Sequence, residues 1–166
     1  MDNQSTLELS GTVRARFETP VAFQLNGRIA SRHINAGQHV EKGQLLFKLD
    51  PRDLNQSIRA AKADQAAAQA ALVTTMADVK RDQQLMVESF ISRQALERTE
   101  LIEREARARF KAAQAQLQQV HNALGYANLR AEESGILIEV SGEPNQVVTF
   151  GQPIAVLAQD GGREVE

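Results

Sequence analysis

The sequence predicts an α+β protein: a small β-sandwich made of two half-motifs, interrupted by a long antiparallel two-helix coiled-coil hairpin. Three observations carry this reading. All ten Gly residues lie at or before position 43 or at or after position 125, and Pro51 is followed by no further Pro until Pro144. The flanks so punctuated alternate apolar and polar residues with the period of a strand, whereas the breaker-free middle repeats with the period of a helical seam.

The leading flank comes first. Residues 12–17 (TVRARF) and 21–25 (VAFQL) alternate, and 45–49 (LLFKL) is a short, mostly apolar run. Each has the length and composition of a strand. Asp50-Pro51 then gives a helix start, with Asp50 as N-cap and Pro51 at the first helical position. Leu54, Ile58, Ala61, Gln65, Ala68, Leu72, Thr75 and Val79 follow at alternating steps of four and three. That is the seven-residue repeat of a coiled-coil seam.

The repeat falters around Glu88–Phe90, where SFIS breaks an Ala/Gln texture. A second stripe runs through Leu96, Thr99, Ile102, Ala106, Phe110, Ala113, Leu117, Val120, Leu124 and Ala127. Glu100 with Arg104, Glu103 with Arg107 and Glu105 with Arg109 are acid-before-base pairs four residues apart, the order that supports an exposed helix face. Gly125 sits where this helix closes. Each helix has about 35 residues and so spans roughly 50 Å. With so thin an apolar stripe neither folds alone. A hairpin is favoured over one continuous helix dimerising with another chain, because the hairpin also brings the two β flanks together. Beyond it, 136–140 (ILIEV), 147–150 (VVTF) and 154–158 (IAVLA) read as strands again.

The flanks are related to each other. Residues 26–49 lie on residues 134–157 without a gap, with identities at Gly27/Gly135, Gln38/Gln146, Val40/Val148, Gly43/Gly151, Gln44/Gln152 and Leu49/Leu157. The shared element is V-x-x-G-Q followed by an apolar strand. Two such halves are expected to pair about a pseudo-two-fold axis, so the β-domain is interrupted, not cut short.

Composition narrows the function. At 166 residues the chain holds one ordinary domain or two small ones, its aromatic content is 4% and Trp is absent, which argues against one large aromatic core. A net charge of −2 leaves no electrostatic footprint for nucleic acid. With no Cys, disulfides, thiolate metal sites and cysteine nucleophiles are excluded. No apolar run of about 18 residues offers a membrane span. The start, MDNQSTLELSG, lacks the build of a signal peptide, and the final DGGREVE reads as another strand just begun. These ends suggest either a cytosolic protein or a trimmed piece of a longer one.

GRIASRHINAGQHVEKGQLLFKLDPRDL at 27–54 and GILIEVSGEPNQVVTFGQPIAVLA at 135–158 resemble the two halves of a lipoyl/biotinyl-type domain. With a hairpin between them, the chain resembles the periplasmic adaptor subunits, or membrane fusion proteins, of tripartite efflux pumps. GTVRARFETPVAFQLNGRI is similar to adaptors that work with resistance-nodulation-division (RND) transporters. The resemblance implies five segments: a leading strand region at 1–22 at the edge of a β-barrel or membrane-proximal part, half-motif 1 at 23–50, the hairpin at 51–128 with its tip about 86–92, half-motif 2 at 129–159, and the start of a β-barrel at 160–166.

It also implies a non-enzymatic role without cofactor. The adaptor would link an inner-membrane RND transporter to an outer-membrane channel in the periplasm. The full-length protein would be inner-membrane associated, with signal or anchor outside this chain, and would form a ring of copies; this chain alone is expected to be monomeric. At the hairpin tip many such adaptors carry Arg, Leu four residues on and Ser seven beyond. Arg81, Leu85 and Ser92 stand at that spacing and are the candidate channel-binding residues. A solvated Arg81, a seam residue Leu85 and an N-cap Ser92 account for the same three positions structurally. One local departure is Ala131-Glu132-Glu133-Ser134-Gly135, where the family often has Ala-Pro-x-x-Gly.

Three other readings touch parts of this sequence. An acyl or biotin carrier needs a modifiable Lys at the turn joining its halves, where this chain inserts the hairpin; Lys42 and Lys48 lie in the turn-strand pattern instead. An adaptor for an ABC-type exporter or a type I secretion system shares the architecture. A hydrolase or metal enzyme finds no support in His33, His121 and Tyr126, which are scattered, nor in Met76 and Met86, which read as seam filler.

Overall fold

The computed structural model describes residues 18–160 and the backbone of two short flanking strands, β1 (Val13–Ala15) and β10 (Arg163–Val165), which pair antiparallel. Residues 1–12, 16–17, 161–162 and 166 lie outside that description, and with them most of the segments expected to begin a β-barrel. The chain divides into two units, residues 1–50 with 126–166, and residues 51–125.

The first unit is the sandwich. Its strands are β2 (Glu18–Ala22), β3 (Gly27–Arg32), β4 (His39–Val40), β5 (Leu45–Leu49), β6 (Asn128–Arg130), β7 (Gly135–Val140), β8 (Val147–Val148) and β9 (Pro153–Gln159). They form two four-stranded sheets in the orders β2-β9-β7-β4 and β6-β5-β3-β8, with the strand pairs antiparallel. Exchanging β2 with β6, β3 with β7, β4 with β8 and β5 with β9 turns one sheet into the other. Each half therefore lends two strands, β2 and β4 or β6 and β8, to the sheet built on the other half's central pair, so neither half closes a sheet without its partner.

The hydrogen bonds obey the same exchange. Ile29 N–H donates to Gln146 O at 2.9 Å and Leu137 N–H to Gln38 O at 3.0 Å; Gly43 N–H donates to Ala131 O at 2.7 Å and Gly151 N–H to Phe23 O at 2.9 Å. This last pair carries the repeat back to residue 23, and the matching places of β2 and β6 in the two sheets extend it to those strands.

Four turns explain why Gln recurs. In Asn35–Gln38, Glu41–Gln44, Glu143–Gln146 and Thr149–Gln152 the Gln side-chain oxygen accepts the N–H of the residue three before it, at 2.9–3.1 Å. The third residue of each turn has positive φ, at Gly37, Gly43, Asn145 and Gly151. Glycine takes that conformation without strain, and Asn tolerates it better than most. The V-x-x-G-Q signature is thus a turn closed by its own glutamine.

Two strand expectations shift. The strand placed at 21–25 runs from Glu18 to Ala22, and the chain turns at Gln24 after Phe23 has entered the core, 1% exposed. Pro20 fits because β2 is an edge strand with a free side. The strand placed at 147–150 stops at Val148, since Thr149 opens the turn.

Ile29/Leu137, Val40/Val148, Leu46/Ile154 and Leu49/Leu157 are buried matched pairs. Three further pairs are unequal: Phe23 faces Ala131, Ile34 faces Gly142, and Phe47 faces Ala155 in the repeat. The large members all come from half 1, and the Phe23 and Phe47 rings meet edge-on at 6.4 Å. A Cβ on Gly142 would lie 2.8 Å from the Phe47 ring. Half 2 has given up volume to accommodate the rings of half 1, as close packing requires.

The second unit holds α1 (Arg52–Val87) and α2 (Arg93–Tyr126). The start lies one residue later than read from Asp50-Pro51. Pro51 is the N-cap, without a side-chain cap, and its carbonyl accepts the N–H of Asn55 at 2.8 Å. The Asp50 N–H is bound to Arg28 O at 2.8 Å, which keeps Asp50 in the strand register of the sandwich. Gly125 lies inside α2 without a left-handed φ, so it is not the helix-ending cap.

Candidate functional site: the hairpin and its tip

The seam of α1 forms as the spacing predicts. Leu54, Ile58, Gln65, Thr75 and Val79 are half-buried, and Ala61, Ala68 and Leu72 are buried. The small Ala side chains permit close backbones; Ala68 and Ala113 line one shallow depression between the helices.

The α2 stripe holds except at one position. Leu96 is buried, and Thr99, Ala106, Phe110, Ala113, Leu117, Val120 and Leu124 are half-buried, but Ile102 is 54% exposed and Glu103 takes its place. After the three-residue step from Leu96 to Thr99 the seam needs a step of four. Glu103 satisfies it because Arg107, one turn on, binds its carboxylate through Nε at 2.9 Å. Among the described residues, this is the one of the three expected acid-before-base pairs that closes.

The tip is a tight turn between Val87 and Arg93. Ser89 N–H donates to Met86 O at 3.0 Å and Phe90 N–H to Leu85 O at 2.8 Å, while Ser89 has φ of 62°. These bonds satisfy the orphan carbonyls of α1 in a Schellman closure, with Ser where Gly is usual. Ser92 then caps α2: its Oγ accepts the N–H of Ala95 at 3.1 Å. Asp82 and Thr99 join the two helices across the seam, with the Thr99 hydroxyl donating to Asp82 Oδ2 at 2.5 Å.

Each candidate residue has a definite place. Arg81 is exposed on α1 and paired with Asp78 at 3.1 Å; Leu85, one turn later, is half-buried; Ser92 is exposed at the start of α2. The turn sets all three at the same end of the hairpin. Beside them, Met86 is 37%, Val87 84% and Phe90 72% exposed. The spacing of Arg81, Leu85 and Ser92 did not point to these apolar residues; of the three, Phe90 alone lies in the break of texture at SFIS.

Other polar groups are occupied singly. Lys42 is bound to Glu133 at 2.7 Å, His33 to Ser31 at 2.9 Å and His39 to Asp160 at 2.7 Å. Among the described residues no group of three or more His, Asp or Glu is arranged to hold a metal, and no helix is long and apolar enough to cross a membrane.

A two-half sandwich interrupted by a long helical hairpin defines the membrane-fusion class of proteins. The profile described as RND MFP, barrel-sandwich hybrid domain, matches residues 18–88, and that described as RND MFP, alpha-helical hairpin domain, matches residues 57–127. Together the two matches run from residue 18 to residue 127, and the chain belongs to the RND membrane fusion protein family. It is similar to the multidrug resistance protein MdtA of Pectobacterium atrosepticum, 32% identical over 158 residues, covering 89% of this chain and 38% of that protein. The chain therefore spans well under half the length of this relative. Two solved structures share the fold. The membrane fusion protein Spr0693 of Streptococcus pneumoniae R6 has a TM-score of 0.72 at 20% identity, covering 95% of this chain and 65% of that one. ZneB of Cupriavidus metallidurans has a TM-score of 0.66 at 21% identity, covering 90% and 64%.

Proposed function

We propose that this chain is the sandwich and hairpin of a non-enzymatic periplasmic adaptor that couples an inner-membrane RND transporter to an outer-membrane channel. The observation that carries the reading is the insertion itself. Where a carrier domain would present a modifiable lysine, this chain inserts two helices of 36 and 34 residues sharing one seam. Such a pair is a stiff spacer of about 50 Å, which resists bending where a flexible linker would not.

The tip supplies the contact. Arg81 offers a long-reaching cation, Leu85 an apolar knob and Ser92 a small hydroxyl, which together suit the ends of partner helices. Ser92 also caps α2, so its two roles coincide. In the full-length protein, copies of the sandwich pack side by side into a ring and the hairpins line a conduit. The name of the MdtA relative points to multidrug export as the assembly's task.

The test is co-purification of the full-length protein with its channel. Replacing Arg81, Leu85 or Ser92 by Ala is expected to reduce recovered channel several-fold, by about 1 kcal/mol or more per contact. Helicity stays near wild-type in all three, with Ser92→Ala losing about 1 kcal/mol of helix stability through its cap. Undiminished channel recovery and drug export in all three variants would remove the docking assignment.

A further inference from the structure

The two halves of the sandwich complete each other, and the hairpin is what joins them in the chain. Sheet β2-β9-β7-β4 takes β2 and β4 from half 1 and β7 and β9 from half 2; sheet β6-β5-β3-β8 does the reverse. Side chains pin the same exchange: Asn26 Oδ1 accepts the Phe150 N–H at 2.7 Å, and Ser134 Oγ accepts the Lys42 N–H at 3.0 Å. Nothing in these contacts requires both halves to belong to one molecule. A second copy offers the same partners once its hairpin opens.

The turn has the means to open. Residues 88–92 contain neither Gly nor Pro, so none of them ends a helix by its own chemistry. The left-handed position is Ser89 at φ of 62°, a conformation that L residues avoid and that a continuous helix would relieve. In the turn Ser89 N–H binds Met86 O and Phe90 N–H binds Leu85 O. In a helix the same two donors simply exchange the same two acceptors.

The seam also crosses the turn in phase. Asp82, Leu85, Ser89, Ser92, Leu96, Thr99 and Glu103 follow at alternating steps of three and four. From Leu54 to Leu124 the sole departure is one doubled step of three, Val79 to Asp82 to Leu85. Such a stammer overwinds a coiled coil locally and does not end it. A hairpin has no need of this match, because a turn separates its two seams. The register set by Asp82 against Thr99 places Ser89 opposite Ser92 one heptad further in.

We infer that residues 88–92 are a hinge and that the partner it admits is a second copy of this chain. In the exchanged dimer α1 and α2 of each copy run on as one helix. α1 of one copy lies along α2 of the other in the register of the hairpin, and each sandwich is built from half 1 of one copy and half 2 of the other. Short hinges under strain favour such exchange. The closed form must unfold before it can exchange, so the dimer forms on refolding at high protein concentration. The inference is independent of the adaptor reading, which concerns the closed hairpin.

The experiment refolds the 166-residue chain from urea at low and high protein concentration and measures mass by size-exclusion chromatography with light scattering. Monomer is expected at low concentration, and dimer beside monomer at high concentration with helicity unchanged. Ser89→Gly relaxes the turn and lowers the dimer fraction. Ser89→Ile raises it, because a branched side chain resists left-handed φ and fills the seam of the open helix. The dimerisation constants of the two variants differ by about tenfold or more. The native chain has no Cys, so Ala71→Cys with Arg109→Cys, which line one depression between the helices, reports the exchange directly. A bismaleimide joins the two positions within one chain in the monomer and between chains in the dimer. Ser89→Ile that stays monomeric at every concentration overturns the inference. So does an equal dimer fraction in Ser89→Gly and Ser89→Ile, or a dimer whose crosslinks remain within each chain.

Discussion

Gly135→Ala is expected to destabilise the sandwich by roughly 3 kcal/mol or more, the upper end of what overpacking costs. Gly135 opens β7 and pairs with Gln159 of β9. A Cβ at this position would lie 2.1 Å from the Ala158 carbonyl oxygen and 2.9 Å from its carbon. The obstacle is backbone, so no side chain can rotate away; the strands must separate. The same strand also pairs with β4 through Val40, so the shift spreads to the strand lent by the other half. At 4–8 °C per kcal/mol for a domain of this size, the thermal midpoint falls by roughly 12 °C or more. Gly125→Ala is the matched control. Nothing lies within 4 Å of its added Cβ, and its position inside α2 gains helix propensity of up to about 1 kcal/mol. Thermal and urea unfolding of the two variants should move in opposite directions.

Phe47→Ala is expected to cost about 3–5 kcal/mol, the range for a fully buried aromatic. Phe47 is 0% exposed, meets Phe23 edge-on and lies against the Cα of Gly142. Its loss leaves a cavity bordered by Phe23 of half 1 and Gly142 of half 2. The unequal pairs predict a specific rescue. Gly142→Val alone clashes with the Phe47 ring, but in the Phe47→Ala background its methyl groups enter the vacated space. The double variant should therefore be more stable than the sum of its single changes by about 1 kcal/mol or more, read from urea midpoints. Simple additivity would mean that the volume of half 1 and the glycine of half 2 are unconnected.

Much of the fold was legible because its signals are local. The absence of Gly and Pro between positions 51 and 124 marks the helices, and the steps of four and three mark the α1 seam. V-x-x-G-Q marks the turns because both residues are needed chemically: Gly for positive φ, Gln to close the loop. What escaped depends on tertiary geometry. The correspondence of β2 with β6 survives as backbone hydrogen bonds while Phe23 and Ala131 share no chemistry. Ile102 looked like seam by hydropathy, yet the repeat places Glu103 there and Arg107 makes it tolerable. Asp50 reads as a helix cap in sequence but is held by the Arg28 carbonyl of a strand.

The tip divides in the same way. Ser92 as an N-cap follows from its position before the second stripe, and the 3.1 Å bond to Ala95 bears it out. The exposure of Val87 and Phe90 does not follow from spacing, since a Phe after a helix end ordinarily folds back onto it. The structure leaves Phe90 72% exposed beside the left-handed Ser89.

If this end of the hairpin meets an outer-membrane channel, the two come within crosslinking distance. The most direct measurement is site-specific photocrosslinking in living cells, with the reactive residue placed at Leu85 of the full-length protein. An adduct with the channel is expected from Leu85, and none from Gln69, which is exposed on α1 far from the turn. No channel adduct from Leu85, or equal adducts from both positions, would contradict it.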